Sequence, residues 1–268
     1  MPDFVIPILI ATGVIFAIGF ICSAILVIAS RFFSVEVNED FTRFRECLPG
    51  INCGVCGYSG CDGYANALAN DSSVATNRCI PGGAEAATKI ADIKGVAAVE
   101  TDKKTACVHC NGTCENTDTA ADYYGIASCR AAMLTYGGNG LCNYGCLGFG
   151  DCAAACPVNA ISLIDGVARV DINICIGCGL CAKTCPKGII SLIDTEKMVA
   201  IKCSNKDKGA VARKKCKVAC IGCKKCESTC PTDAITVTDN LARIDYDKCV
   251  YCGKCDDVCP MGTIRSRK

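Results

Sequence analysis

Residues 175–186 read CIGCGLCAKTCP and residues 249–260 read CVYCGKCDDVCP. In both, three cysteines recur at every third position, a fourth follows four residues later, and a proline comes next. A third copy, CIGCKKCESTCP, occupies residues 220–231. The segments leading into the first two runs, CPVNAISLIDGVARVDINIC from Cys156 and CPTDAITVTDNLARIDYDKC from Cys230, are one unit written twice. Nineteen positions separate the CP cysteine from the next triplet in each, and the copies are offset by 74 residues. Apolar alternation around Asp165-Gly166 and Asp239-Asn240 predicts a short hairpin in each copy.

The spacing has a chemical reason. A cubane iron-sulfur cluster needs four thiolates at tetrahedrally arranged corners, and one tight loop conveniently reaches three of them. These are bacterial ferredoxin runs, in which the fourth cysteine of each run ligates the other cluster. Carried onto this sequence, the rule groups Cys175, Cys178 and Cys181 with Cys156, Cys249, Cys252 and Cys255 with Cys230, and Cys220, Cys223 and Cys226 with Cys259. A remaining run, CNYGCLGFGDCAAACP, is irregular: Phe149 stands where a regular run has its second cysteine. Cys142 is expected to substitute, grouping Cys142, Cys146 and Cys152 with Cys185. The expected fold is α+β, with tandem ferredoxin-like βαββαβ domains at 142–202 and 203–268.

Two further cysteine modules precede these. In residues 34–100, LPGINCGVCGYSGCDGYANALAND and the later NRCIPGG supply Cys53, Cys56, Cys61 and Cys79. A CxxCxxxxC triplet with a distant fourth cysteine is unlike the paired CxxC knuckles of zinc ribbons, so a 4Fe-4S cluster is expected there. Residues 34–46 read as a polar linker, 62–70 as a short helix and 84–100 as an Ala-rich helix without ligands. In the connecting module, 101–141, Cys107, Cys110 and Cys114 of ACVHCNGTCEN and Cys129 of GIASCRAAM form another four-cysteine set, open to a cluster, zinc or unligated thiols. His109, the one histidine, is expected to be a loop residue or a donor to sulfur rather than a ligand. Six sets account for about six clusters and leave Cys22, Cys47, Cys203 and Cys216. Cys203 and Cys216 flank a basic loop and could exchange with the 107–129 set.

Cysteine makes up 28 of 268 residues, which composition alone would allow for a disulfide scaffold. Such scaffolds belong to short secreted domains, and this chain is long, half apolar and without a cleavable signal peptide. Residues 4–30 contain no charged side chain, enough to cross a bilayer, so 1–33 read as a membrane anchor. Arg31, Arg43 and Arg45 follow it and no Lys or Arg precedes it, which places the rest on the cytoplasmic side. The net charge of +1 hides an uneven spread: residues 197–225 hold ten Lys or Arg against Asp207 alone. Lys206, Lys208, Arg213, Lys214 and Lys215 are therefore candidates for docking an acidic partner. Few aromatics, no tryptophan and no recognition motif argue against nucleic acid. Gly137, Gly138 and Gly140 form no dinucleotide fingerprint, so flavin and NAD chemistry belongs to partners.

LPGINCGVCGYSGC with Cys79, then VHCNGTC, GIASCRAA, CNYGCLGFGDCAAACP and paired ferredoxin runs, all after one anchor helix, resemble the RnfB family of Rnf complexes across essentially the whole chain. The resemblance implies a polyferredoxin that takes electrons from reduced ferredoxin and relays them through 4Fe-4S clusters. The recipients would be membrane and flavin/NAD subunits of an ion-translocating ferredoxin:NAD oxidoreductase, with no NAD-reducing site on this chain. An iron-sulfur component of a membrane-bound hydrogenase or formate dehydrogenase is the alternative, and a zinc-binding or metal-storage module a more distant one.

Overall fold

Residues 5–32, 39–98, 103–195 and 198–266 are described by a computed structural model. The chain divides into two compact units, Met1–Thr42 and Arg43–Lys268. The first is dominated by α1 (Val5–Phe32), 28 residues long. Its segment Thr12–Ser30 has a mean hydropathy of 2.5 and none of it is buried in protein. Phe16 and Phe20 are 80% and 72% exposed, as suits a helix surrounded by lipid or by partner helices. At 1.5 Å per residue the helix exceeds the ~30 Å hydrocarbon core.

Residues 39–46, expected to be linker, form α2 (Glu39–Glu46). Glu39 and Asp40 at its start and Arg43 and Arg45 at its end suit the helix dipole, and Phe44 near its end is buried. In the second unit, α3 (Cys61–Asn70) buries Tyr64, Ala65 and Leu68, and α4 (Gly83–Lys94) buries Ala86, Ala87, Ile90 and Ala91, each at helical spacing. The Tyr64 hydroxyl donates to Ala75 O at 2.7 Å, and Lys94 Nζ donates to Asp71 O and Val74 O, both at 2.9 Å. Gly95, left-handed at φ 66°, ends α4 short of the expected residue 100.

The remaining elements run β1 (Lys104–Val108), α5 (Cys129–Leu134), α6 (Asp151–Ala154), β2 (Ile161–Ile164), β3 (Val167–Val170), α7 (Leu180–Thr184) and β4 (Ile190–Asp194). They continue with β5 (Val199–Ile201), α8 (Gly209–Lys215), α9 (Lys225–Thr229), β6 (Ile235–Thr238), β7 (Leu241–Ile244), α10 (Lys254–Asp257) and β8 (Ile264–Ser266). Among the described residues the strands form four antiparallel pairs, β1 with β4, β2 with β3, β5 with β8, and β6 with β7. Both hairpins turn where expected, with φ positive at Asp165 and Gly166 and again at Asp239 and Asn240, the type I′ geometry that matches strand twist.

The outer pairs cross the boundaries expected at 142 and 203. β1 lies in the connecting module yet closes on β4, and β5 precedes residue 203 yet closes on β8. Each repeat thus begins with a strand whose partner comes last in the same repeat, and no cysteine run marks it. Ala106, Val108, Ile161, Val167 and Ile190 build one core, and Val199, Ile201, Ile235, Leu241 and Ile264 the other. Cysteine sulfurs line both.

Candidate iron-sulfur sites

Cys53, Cys56, Cys61 and Cys79 border one pocket with Leu48, Ile51, Tyr64 and Pro81. Asn52 fixes the loop: its Oδ1 accepts from Cys61 N at 2.8 Å. Burial pushes the Cys79 thiol up, and the sulfurs of Cys61, Cys56 and Cys53 add to the effect, which sets the four side by side.

The regular runs form three further groups. Burial, then the sulfurs of Cys175, Cys178 and, more weakly, Cys156, push Cys181 up to about 11. Cys220, Cys223, Cys226 and Cys259 border one pocket, where Cys226 is raised to about 11 by burial and by Cys220. Cys249 is raised by burial and then by Cys230 and Cys252, and Cys255 to about 11 by burial and then by Cys249 and Cys252. Backbone N–H groups point at the sulfurs: Ala106 N at Cys175 (3.5 Å), Ala160 N at Cys156 (3.3 Å), Ala234 N at Cys230 (3.3 Å) and Thr263 N at Cys259 (3.4 Å). The Cys156, Cys230 and Cys259 bonds share one i to i+4 geometry after a CP turn. At Cys230 burial pushes upward, but the N–H groups of Thr232 and Ala234 and the Thr232 hydroxyl outweigh it and hold the thiol low.

The irregular run departs from the expected grouping. Cys146, Cys152 and Cys185 share a pocket with Cys129, and Cys142 does not border it. Burial, then the sulfurs of Cys146, Cys129 and Cys185, push Cys152 up to about 12. Asp151 brings Cys129 there: its carboxylate accepts from Ser128 Oγ (2.9 Å), Cys129 N (2.9 Å) and Arg130 N (3.0 Å), capping α5 beside Cys152. Phe149, at the place of the missing cysteine, stacks edge-on against Tyr123 with centroids 5.3 Å apart.

The expected set Cys107, Cys110, Cys114 and Cys129 is not brought together. Strand alternation turns Ala106 and Val108 into the first core and Cys107 to the opposite face, against Ile193 and Ala200, with Lys202 Nζ 3.1 Å from its sulfur. Cys114 is exposed and donates its S–H to Asp165 O at 3.4 Å, a partner that would repel a thiolate. Cys110 instead borders a pocket with Cys142, Cys203 and Cys216, the last two expected to be spare, and Cys146 borders it too. The signal for Cys216 was in the sequence: the offset of 74 residues carries Cys142 onto it and Cys146 onto Cys220. Cys22 is exposed on α1, and the Cys47 thiol donates to Arg43 O one turn back.

Known proteins share this pattern of thiols. Family models match residues 48–81 as an Fe-S cluster domain, and 141–189, 219–263 and 174–235 as 4Fe-4S dicluster domains. The B component of the Na(+)-translocating ferredoxin:NAD(+) oxidoreductase complex of Acetobacterium woodii is 45% identical over 242 residues, 90% of this chain and 72% of the relative. The proton-translocating counterpart from Clostridium ljungdahlii is 42% identical over 85% of this chain and 81% of its own. The B component of the ion-translocating oxidoreductase complex of Methanosarcina acetivorans is 37% identical over 88% and 89%. The chain belongs to the RnfB family. It is an iron-sulfur electron-transfer subunit of the membrane-associated Rnf enzyme complex, not of a hydrogenase or formate dehydrogenase.

The thiols of this RnfB-family chain suit the cofactor its domains imply. Among the described residues no three His, Cys, Asp or Glu side chains stand close enough to clasp one metal ion. A zinc ion with bonds of about 2.3 Å would draw its sulfurs to roughly 3.8 Å of each other, whereas a cubane, with one thiolate per corner iron, spreads them further. Buried thiols raised to about 11 or 12 stay protonated at neutral pH unless metal replaces the proton, and inward-pointing N–H groups favour the resulting thiolates. Neighbouring groups lie within electrostatic reach of one another, since Cys178 feels the sulfur of Cys53, Cys152 that of Cys181, Cys110 that of Cys146 and Cys203 that of Cys220, and the Cys220 and Cys230 groups line one core.

His109 points at no sulfur. Its Nδ1 lies 2.7 Å from Ile201 O, which only accepts, so Nδ1 carries the proton, and Nε2 lies 2.6 Å from Ser191 Oγ. Burial holds its pKa below the ordinary value, opposed by the Ile201 carbonyl, and the neutral ring ties β4 to β5. It also borders a cavity of about 650 Å³, a cleft between the repeats whose lining includes Cys203. Of the basic loop, Lys206, Lys208, Arg213 and Lys214 are exposed, while Lys215 is half-buried in an ion pair with Asp207 at 2.8 Å.

Proposed function

We propose that the Arg43–Lys268 unit is a linear relay that accepts electrons from reduced ferredoxin and delivers them to partner subunits of the Rnf complex. The observation that carries this reading is the abutting series of thiol groups. Its five run-based groups are Cys53, Cys56, Cys61 and Cys79; Cys156, Cys175, Cys178 and Cys181; Cys129, Cys146, Cys152 and Cys185; Cys220, Cys223, Cys226 and Cys259; and Cys230, Cys249, Cys252 and Cys255. Each would hold one 4Fe-4S cluster, which supplies one-electron redox chemistry. The chain's part is to fix spacing, keep water from the sulfurs and tune their charge with N–H donors. The order of each repeat, an opening strand, two short helices, a hairpin, a helix and a closing strand, supports tandem ferredoxin-like βαββαβ domains.

Ferredoxin docks, in this reading, on Lys206, Lys208, Arg213 and Lys214, close in sequence to the exposed Cys223, Lys224 and Lys225. Lys215 is removed from that surface, because its charge is already matched by Asp207. The membrane lipid holds α1, and the basic residues Arg31, Arg43 and Arg45 after the apolar run support a cytoplasmic, reducing location for the thiols. The test mixes reduced ferredoxin with the full chain under anaerobic conditions and follows bleaching near the visible iron-sulfur bands. Replacing Lys206, Lys208, Arg213 and Lys214 by Glu should slow the second-order rate at least tenfold at low salt, with the difference shrinking as salt rises. An unchanged rate removes this docking surface.

A further inference from the structure

Cys110, Cys142, Cys203 and Cys216 belong to none of the five groups above, and they share a pocket that Cys146 of the Cys129 group also borders. Four separate segments converge on it, and each is held by its own contacts. The loop after β1 is zipped to the segment after α8: Thr117 bridges Cys216, Thr117 Oγ1 donates to Lys215 O at 2.7 Å, and Lys217 N donates to Asn116 O at 2.8 Å. Cys142 follows a second bridge, Thr119 with Gly140, completed by Leu141 N donating to Asp118 O at 2.9 Å. Cys203 follows β5, whose Ile201 is tied to His109.

The site is built twice over, once by each repeat. Cys110 comes two residues after β1 ends at Val108, and Cys203 two residues after β5 ends at Ile201. Gly112 N donates to Cys110 Sγ and Asn205 N to Cys203 Sγ, both from i+2 and both at 3.4 Å. Cys146 N donates to Cys110 Sγ at 3.4 Å, and its repeat equivalent Cys220 N to Cys203 Sγ at 3.3 Å. Cys142 and Cys216 are equivalent under the 74-residue offset. They too are supplied with donors: Asn205, 1% exposed, donates from Nδ2 to Cys142 Sγ at 3.4 Å, and Val218 N serves Cys216. A methyl on Gly112 would lie 3.6 Å from Cys110 Sγ and 3.7 Å from Cys216 Sγ, so both sulfurs border the same small space. All four sulfurs accept hydrogen bonds, as thiolate ligands do, whereas Cys114 donates and Cys107 faces away.

We propose that Cys110, Cys142, Cys203 and Cys216 hold a sixth 4Fe-4S cluster at the joint between the repeats, with two ligands from each. This rests on the relay reading and deepens it. Through Cys146 N and Cys220 N the joint adjoins the Cys129 group on one side and the Cys220 group on the other, and so connects what would otherwise be two separate wires.

The test uses full-length chain purified anaerobically, as wild type and with Cys142→Ser and Cys216→Ser together. Wild type should contain about 24 irons and 24 acid-labile sulfides, and the double variant about four fewer of each, with the remaining EPR signals of the reduced protein intact. Cys107→Ser and Cys114→Ser should retain the full content. Undiminished iron in the double variant, a loss in the Cys107 or Cys114 variants, or one zinc in wild type that disappears with Cys142 and Cys216 would each overturn the proposal. Should the double variant precipitate, Asn205→Asp decides. It removes a donor to Cys142 without removing a ligand, so one midpoint potential in an EPR titration should move negative; unmoved potentials overturn the site. Wild type lacking sulfide would instead defeat the relay reading, a result distinct from the loss of the joint alone.

Discussion

Replacing Asp151 with Ala should release one group of thiols and leave the others in place. The carboxylate accepts from Ser128 Oγ and from the N–H groups of Cys129 and Arg130, all within 3.0 Å, and by doing so fixes Cys129 beside Cys146, Cys152 and Cys185. Burial raises the Asp151 pKa, but the donors from Arg130, Cys129 and Ser128 win and hold it below the ordinary carboxylate value. A lost helix cap costs about 1 kcal/mol and a hydrogen bond to a charged acceptor about 1.5–3 kcal/mol. Because the three donors share one partly exposed carboxylate, the terms do not add in full, and about 2–3 kcal/mol is the expected loss. At about 1.4 kcal/mol per tenfold, local opening of α5 rises about 30- to 140-fold. A ferrous chelator added to anaerobic full-length protein should then draw off one-sixth of the iron faster by that factor, while the rest leaves at the wild-type rate. Asp151→Asn, which keeps an acceptor, should fall between. Unchanged release, or all the iron leaving faster together, would refute the role given to Asp151 and Cys129.

Gly177 has φ +66°, and a Cβ there would lie within clashing distance of Lys104 O in β1, whereas Gly188 at φ +60° has open space around it. Gly188→Ala should therefore cost about 1–2 kcal/mol and Gly177→Ala more than about 3 kcal/mol, read as the fall in the midpoint of anaerobic urea unfolding. Tyr64→Phe leaves Ala75 O without its 2.7 Å donor and should weaken the 48–81 module by about 1–2 kcal/mol, seen as faster iron loss from that group alone. Lys215→Ala strands the half-buried Asp207 and should lower the thermal midpoint by a few degrees, whereas Lys214→Ala on the exposed face should leave it within one degree or so.

The parts of the fold that were legible in advance are those where ligand chemistry and local geometry coincide. Three thiols at i, i+3 and i+6, or at i, i+3 and i+8 in the Cys53 loop, must share a loop, and turn residues between alternating apolar ones make a hairpin, so the Cys175, Cys220 and Cys249 runs, the Cys53 loop and both I′ hairpins could be read directly. Cys129 could not, because its position is set by a carboxylate 22 residues away rather than by its own spacing. Cys110 was equally hidden, since the zipper at Thr117 joins segments about a hundred residues apart, whereas Cys216 was open to discovery through the 74-residue offset that carries Cys142 onto it. The opening strands β1 and β5 carry no cysteine pattern and take meaning only from β4 and β8. Cys107 shows the limit most plainly: it sits at the right spacing from Cys110, yet in a strand successive side chains face opposite ways, and it points into the wrong core.

Iron, zinc and acid-labile sulfide in full-length protein purified without oxygen, measured together with the EPR spectrum of the reduced form, test the relay most directly. Six four-thiol groups predict about 24 irons and 24 sulfides per chain, negligible zinc and overlapping signals of spin-coupled neighbouring clusters. Zinc without sulfide, or iron for only two or three clusters, would contradict it.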